Sequence, residues 1–261
     1  MKFSIKSDQL DKQRSDVMVM GVYDSLKPCY DKLSLSASTI SHIASILKHG
    51  DMSGKVGSSL ILYNVPGIKI PKILLIGLGK EKELDGKKYR AAVRAMIHEL
   101  KRMDVKTITS LLQTASIKEA DIAWNIEHFI SEVMDASYEF AELKTVNRKT
   151  KKTFDIFLIV DKKSQKIAEA ASKKAFALAK GIELTKTLGN LPPNICTPTY
   201  LGKKAQEIGK EHGMKIEVLD QKQIEKLKWV LFLALQKEVD SHQNLLYFNI
   251  VKVKKRKSPL F

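Results

Sequence analysis

The sequence predicts an α/β fold in which a mixed sheet flanked by helices is followed by a connecting helix and an incomplete second α/β domain. Short apolar runs alternate with helical patterns through the first part of the chain, which is the rhythm of a layered α/β domain. A long helical pattern and then a proline-rich segment interrupt this alternation. We therefore divide the chain into an N-terminal domain (1–163), a connecting helix (164–188) and the start of a second domain (189–261).

The strands are predicted by apolar runs that lie between polar turns. Residues 16–23 are almost wholly apolar, which is typical of a strand covered on both faces. Pro66-Gly67 marks the turn between two neighbouring strands. The predicted strands are residues 3–5, 16–23, 58–65, 72–77, 105–112, 154–161, 215–219, 229–235 and 245–251.

The helices are predicted by apolar residues that recur every three or four positions. The first of them ends at His49-Gly50-Asp51. In the connecting helix we expect one stripe to face the core, formed by Ile167, Ala171, Ala175, Leu178 and Ile182. The predicted helices are residues 39–48, 85–103, 116–143, 164–188, 199–211 and 221–227.

A glycine-containing loop, Gly77-Leu-Gly-Lys80, joins a predicted strand to a predicted helix. Such a loop can hold a phosphate group, because the amides at a helix N-terminus attract anions. The loop lacks both the Walker spacing and the G-x-G-x-x-G pattern. We therefore favour a tight strand-to-helix turn over a phosphate site.

The segment Thr187–Thr199 predicts a hinge. Gly189 favours the end of the preceding helix in a left-handed conformation, and the following Pro192-Pro193 keeps the backbone extended. Thr197 is suited to cap the next helix, with Pro198 at its first position. By local chemistry alone, the segment is a stiff connector between two packed units.

The net charge indicates which partners the chain could contact, and the cysteine content indicates its compartment. Lysine and arginine number 45 against 29 acidic residues, a net charge of +16 that favours contact with polyanions. The basic residues are dispersed, with denser groups at 144–152 and 252–257, and no nucleic-acid-binding module is evident. Cys29 and Cys196 have no metal or redox spacing, so we expect free thiols in the cytoplasm. No signal peptide or run of transmembrane length is predicted.

Few residues occur in the sequence patterns that are typical of catalytic sites. None of the six histidines has a metal-ligand spacing, and there is no G-x-S-x-G nucleophile motif. Cys196 has no histidine nearby in the sequence, which favours a packed thiol over a nucleophile. After the hinge the only aspartates are Asp220 and Asp240. A centre with two metals needs several converging carboxylates, and the sequence shows no such cluster.

The hinge also carries a family resemblance. Asn190-Leu-Pro-Pro-Asn-Ile-Cys196 with Tyr200-Leu201 resembles the N-L-P-P-N-x-x-x-P-x-x-L segment of the leucyl (cytosol) aminopeptidases of bacterial type. Residues 73–81 are similar to that family's strand and glycine loop, and the opening residues 3–7 are similar to its start. The resemblance implies a macro-domain-like N-terminal domain and a C-terminal catalytic domain in hexameric subunits. It further implies release of N-terminal amino acids from peptides with two divalent cations, manganese or zinc.

The motifs that hold the family's metal ligands and catalytic residues resemble V-G-K-G-x-T-F-D-[ST]-G-G and N-T-D-A-E-G-R-L, and neither occurs in these 261 residues. Glu238 and Val239 stand where the family usually has a glycine-serine pair. We therefore expect the chain to end before the metal site, and we assign no catalytic, cofactor-binding or metal-binding residue. The expected consequence is a chain that is inactive alone. The alternative is a non-catalytic module that binds nucleic acid or joins a hexamer with an intact paralogue.

Overall fold

A computed structural model describes residues 1–7, 13–29, 35–143, 152–219, 221–228 and 250–254. The chain forms two compact units that divide between Leu184 and Thr185. The first unit contains β1 (Lys2–Lys6), β2 (Val17–Tyr23), α1 (Ala37–Lys48), β3 (Ser59–Tyr63), β4 (Lys72–Gly79), α2 (Gly86–Arg102), β5 (Thr107–Ser110), α3 (Ile122–Ala136), β6 (Asp155–Ile159) and most of α4 (Gln165–Asn190). The second unit contains α5 (Pro198–Glu211), β7 (Lys215–Leu219), α6 (Gln221–Lys226) and β8 (Ile250–Lys254).

The first unit is built on a six-stranded sheet with the order β1-β6-β5-β2-β4-β3. The pairs β1–β6, β6–β5, β5–β2 and β2–β4 are parallel, and β3 pairs with β4 in the antiparallel sense. In the register of the central strands, Val19 lies opposite Leu74 on one side and Ser110 on the other. These pairings confirm the predicted α/β class with a mixed sheet flanked by helices.

Strand β2 separates two apolar cores, and all seven of its residues are buried. Val17 and Val19 point into the core that contains Phe129 and Tyr89, from α3 and α2. Met18, Met20 and Val22 point into the core that contains Ile43 and Leu47 from α1. Alternate residues thus serve opposite faces of the sheet, and the strand confirms the prediction made from its continuous apolar run.

Helix α3 is shorter than the predicted helix over 116–143. The backbone of Ala115 is extended and Glu119 has a φ of +59°, so the chain cannot be helical through these positions. Asp121 begins the helix by accepting a hydrogen bond from the Trp124 amide at 2.8 Å. The helix ends at Ala136. The cap at Asp121 therefore decides where the helix starts, and the apolar periodicity does not.

The predicted core stripe of α4 is partly wrong. Ile167, Leu178 and Ile182 are 55%, 58% and 41% exposed. The buried side of the helix consists instead of small residues, which are Ala168, Ala171, Ser172, Ala175 and Ala179. Small side chains let a helix approach its neighbours closely, and the larger apolar residues then flank the contact instead of forming it.

In the second unit, α5 packs on β7 through a glycine. A side-chain carbon at Gly209 would overlap Ile216 of β7, so only glycine fits this contact. Leu201, on the same helix, is 42% exposed. β7 pairs with β8 in the antiparallel sense, with Ile216 opposite Val253. The strand predicted over 229–235 lies outside the described residues, and so does the basic group at 144–152 except for its last residue.

Helix α4 contains the point at which the chain divides into two units. It begins at Gln165 and ends at Asn190, and its last residues belong to the second unit. The division at residues 163 and 188 that the sequence suggests remains a prediction, because the helix is continuous across the point where the two units divide.

Asp16, just before β2, is hydrogen-bonded to the start of β5. Its Oδ2 accepts hydrogen bonds from the Lys106 amide (2.7 Å), the Thr107 amide (2.8 Å) and the Thr107 hydroxyl (2.9 Å). The bonds from the Thr107 and Lys106 amides hold the pKa of Asp16 below its ordinary value of 3.8. Because the pKa is lower in the folded chain, the ionised carboxylate stabilises the fold above pH 3.8. This contribution is lost as the pH falls through the lowered pKa.

We therefore expect Asp16→Ala to lower the free energy of unfolding by about 1–2 kcal/mol at pH 7. The difference from the wild type should shrink as the pH falls below 3.8 and through the lowered pKa of Asp16, because the wild-type carboxylate then becomes protonated. Urea unfolding at pH 7 and at a series of pH values below 3.8 measures both effects, with the exposed Asp51→Ala as the control. A difference that stays the same down to the lowest pH at which the chain folds would show that the hydrogen-bonded carboxylate is not the cause.

Candidate functional site

The backbone amides of the two glycines at the end of β4 donate hydrogen bonds to backbone carbonyls. The Gly77 amide donates to the Ser58 carbonyl at 2.7 Å, and the Gly79 amide donates to the Gly54 carbonyl at 2.9 Å. The Gly77 carbonyl accepts from the Gly57 amide at 3.0 Å. Strand β4 therefore continues through Gly79, and the turn into α2 begins at Lys80. Both amide hydrogens are used in these bonds to the 54–58 segment, so these amides do not form the phosphate site considered for this loop.

The neighbouring carboxyl ends of β2 and β5 form the point where α/β sheets commonly bind ligands. Here residues that follow each strand cover the edge. The Tyr23 hydroxyl accepts from the Ser116 amide at 3.3 Å, and the Thr114 hydroxyl donates to the Cys29 carbonyl at 3.2 Å. Burial raises the pKa of the Cys29 thiol to about 12. Cys29 is a protonated, packed thiol at neutral pH and not a nucleophile.

Both cysteines are free thiols, as predicted. Cys196 is partly buried and lies in the hinge. Its amide donates to the Pro192 carbonyl at 2.9 Å, and the same carbonyl accepts from the Ile195 amide at 2.9 Å. The backbone of Cys196 therefore closes a tight turn that begins at Pro192.

The hinge joins α4 to α5 through this turn. Leu191 is buried with 7% exposure, and Pro193 and Asn194 are exposed. The Thr197 hydroxyl accepts from the Tyr200 amide at 3.3 Å, and Pro198 occupies the first turn of α5. The predicted cap and the predicted proline position are both confirmed.

The predicted end of α4 at Gly189 is wrong. The helix includes Gly189 and ends at Asn190, and Gly189 is not among the residues with positive φ. Open space surrounds this glycine, so nothing in its surroundings requires its lack of a side chain. The helix ends because Pro192 disfavours the helical conformation at Leu191, the residue before it.

We expect Thr197→Ala to destabilise the start of α5 by about 1 kcal/mol, because the Tyr200 amide loses its capping acceptor. Hydrogen exchange of the Tyr200 amide measures the effect directly, since exchange should become faster. Thr197→Ser retains the hydroxyl and serves as the control. Unchanged Tyr200 exchange in Thr197→Ala would contradict the capping role.

The titratable side chains that could bind a metal are dispersed. Within the described residues, no group of three or more histidine, cysteine, aspartate or glutamate side chains could hold a metal ion. Two of the described histidines contact their own helices: His49 Nδ1 lies 2.6 Å from the Ser45 carbonyl, and His128 stacks on Trp124 with ring centres 3.6 Å apart. His242, Asp220 and Asp240 lie outside the described residues.

Comparison with known proteins gives the family. The N-terminal domain of the cytosol aminopeptidase family matches residues 19–147, and the catalytic domain of the same family matches residues 183–260. The chain belongs to the cytosol aminopeptidase family. The second match contains the whole proline-rich hinge, so the resemblance first seen in that segment is confirmed.

Curated relatives extend over nearly the whole chain. A probable cytosol aminopeptidase of Methylobacillus flagellatus is 36% identical over 262 residues, which cover 100% of this chain and 53% of that protein. The cytosol aminopeptidase of Pseudomonas aeruginosa is 33% identical over 260 residues, covering 99% of this chain and 52% of that protein. The chain thus spans about half the length of the curated relatives that it matches.

Solved structures show the same fold. A mutant of tomato leucine aminopeptidase superimposes with a TM-score of 0.73 at 21% identity, covering 99% of this chain and 52% of that one. The bottromycin maturation enzyme BotP gives a TM-score of 0.61 at 16% identity, covering 82% of this chain and 41% of that one. The alternative of a nucleic-acid-binding or hexamer-joining module finds no support in these matches. Within the described part of the chain, no helix is both long and apolar enough to span a membrane.

Proposed function

We propose that these residues form the N-terminal domain and the opening part of the catalytic domain of a metal-dependent aminopeptidase. The reaction is release of N-terminal amino acids from peptides. The observation that carries the proposal is the pair of adjacent family matches, 19–147 and 183–260, in the order of N-terminal and catalytic domains. The proline-rich hinge at the start of the second match joins α4 to the first helix of that part.

The family implies two divalent cations, manganese or zinc, and the described residues do not fit such a centre. Two metals that share a water need several carboxylates aimed at one point. On α5, Glu207 is instead paired with Lys204 at 2.7 Å, and Glu217 of β7 is exposed. We assign no catalytic step to these side chains, and we propose that the 261 residues alone do not hydrolyse peptides.

Location and assembly are part of the same proposal. The relatives are named cytosol aminopeptidases, which supports a cytoplasmic site of action. Peptides are the proposed substrates. Assembly as a homo-oligomer remains a prediction from the family resemblance.

A chimera tests the proposal. Residues 1–260 are joined to the part of the Methylobacillus flagellatus relative that lies beyond the matched region, and the product is assayed on leucine p-nitroanilide with manganese. The expected result is metal-dependent turnover that neither part shows alone. The controls are the two parts expressed separately. A folded chimera that binds manganese without turnover would count against the proposal.

A further inference from the structure

A buried polar cluster forms hydrogen bonds with the carboxyl ends of β5 and β6. Gln113 follows β5 and is fully buried. Its Nε2 donates to the Ser110 carbonyl at 2.9 Å and to the Ile159 carbonyl at 2.7 Å. One side-chain amide thus joins the ends of two neighbouring strands, and both of its donor hydrogens are used.

The second member of the cluster is Asn125 of α3, which is 5% exposed. Its Nδ2 donates to the backbone carbonyl of Gln113 at 2.9 Å and to the backbone carbonyl of Ala115 at 3.0 Å. The backbone carbonyl of Asn125 accepts from the Tyr89 hydroxyl of α2 at 3.3 Å. The network therefore connects two strands and two helices through donors that are all satisfied.

These bonds fix the orientation of both amides. Turning either amide over would place its oxygen against two carbonyl oxygens, with no hydrogen between them. Gln113 Oε1 and Asn125 Oδ1 are consequently directed away from these carbonyls. Both atoms are buried, and within the described residues neither has a hydrogen-bond partner.

Two buried acceptors without donors would lower the stability of the folded chain. A buried acceptor without a donor costs about 1–3 kcal/mol, and the large majority of buried polar atoms in folded proteins are paired. Internal waters commonly satisfy such atoms and are held by two to four polar partners. A water supplies the donors that two amide oxygens lack, whereas a bound cation needs a larger set of oxygen ligands.

We infer that internal water is a built-in ligand of this cluster and donates a hydrogen bond to each of the two amide oxygens, Gln113 Oε1 and Asn125 Oδ1. The water completes the polar network that holds the 3₁₀ turn at 112–114 between the sheet and α3. The inference concerns the packing of the first unit and is independent of the proposed aminopeptidase function.

A high-resolution crystal structure of the wild-type chain tests the inference. The expected result is an ordered water within about 3.2 Å of each amide oxygen. An oxygen of the pair without a water, or an amide turned so that a protein donor reaches its oxygen, would overturn the inference. A peak with the short distances and larger coordination number of a cation would also overturn it.

Water ¹⁷O relaxation dispersion gives a second readout in solution, because it counts long-lived internal waters. Asn125→Leu and Gln113→Met each remove one acceptor, so the dispersion amplitude should fall in both variants relative to the wild type. Asn194→Leu replaces an exposed asparagine and should leave the amplitude unchanged. An amplitude that is unchanged in a folded Asn125→Leu or Gln113→Met variant would contradict the inference.

Discussion

Gly77→Ala should destabilise the first unit by about 3 kcal/mol or more, one of the two largest effects that we expect. A side-chain carbon at Gly77 would overlap the Lys55 carbonyl oxygen and the Ser58 hydroxyl oxygen, and it would lie 2.9 Å from the Gly54 carbonyl carbon. Two of these three neighbours are backbone atoms, which cannot turn aside as a side chain can. The variant must therefore move the 54–58 segment and weaken its hydrogen bonds to the end of β4.

The midpoint of urea unfolding, followed by circular dichroism, measures this effect. Gly181→Ala is the matched control, because Gly181 lies in α4 with nothing within 4 Å of an added carbon. That control should stabilise the chain by up to about 1 kcal/mol, since alanine favours the helix over glycine. Equal unfolding midpoints for the two variants would contradict the proposed packing around Gly77.

Phe129→Ala should destabilise the first unit by about 3–5 kcal/mol. Phe129 lies on α3, is fully buried and belongs to the core that also contains Tyr89 and Val19. Removing the ring loses its transfer energy and leaves a cavity, because the surrounding helices and sheet can only partly close it.

Leu178→Ala is the control for the Phe129 variant, because Leu178 is 58% exposed on α4. Its effect should stay within about 0.5 kcal/mol. The pair also tests the correction to the α4 stripe, since a buried Leu178 would make the two losses similar in size. Urea unfolding of both variants at one pH gives the comparison.

Much of the fold could be predicted because its central strands β2 and β4 are buried on both faces. The continuous apolar run of β2 indicates such a strand without reference to its neighbours. The boundaries of the helices could not be predicted as well, since they depend on single polar residues. Asp121 begins α3 inside a longer apolar pattern, and α4 buries its small residues while the larger Ile167 and Leu178 stay exposed.

The hinge could be predicted as a local structure but not as a functional site. Thr197 and Pro198 act within their own helix turn, so the sequence is sufficient to assign them. The roles of Asp16, Gln113 and Asn125 depend on partners far away in the sequence, such as Thr107 and Ile159. A single sequence gives no signal for these contacts.

The most direct test of the proposed function is an activity assay of the chain alone. The purified 261-residue protein is incubated with leucine p-nitroanilide and manganese, with the Pseudomonas aeruginosa cytosol aminopeptidase as the positive control. We predict no release of p-nitroaniline above the rate without enzyme, because the motifs that supply the family's metal ligands do not occur in this sequence. Manganese-dependent turnover by the purified chain would contradict the account.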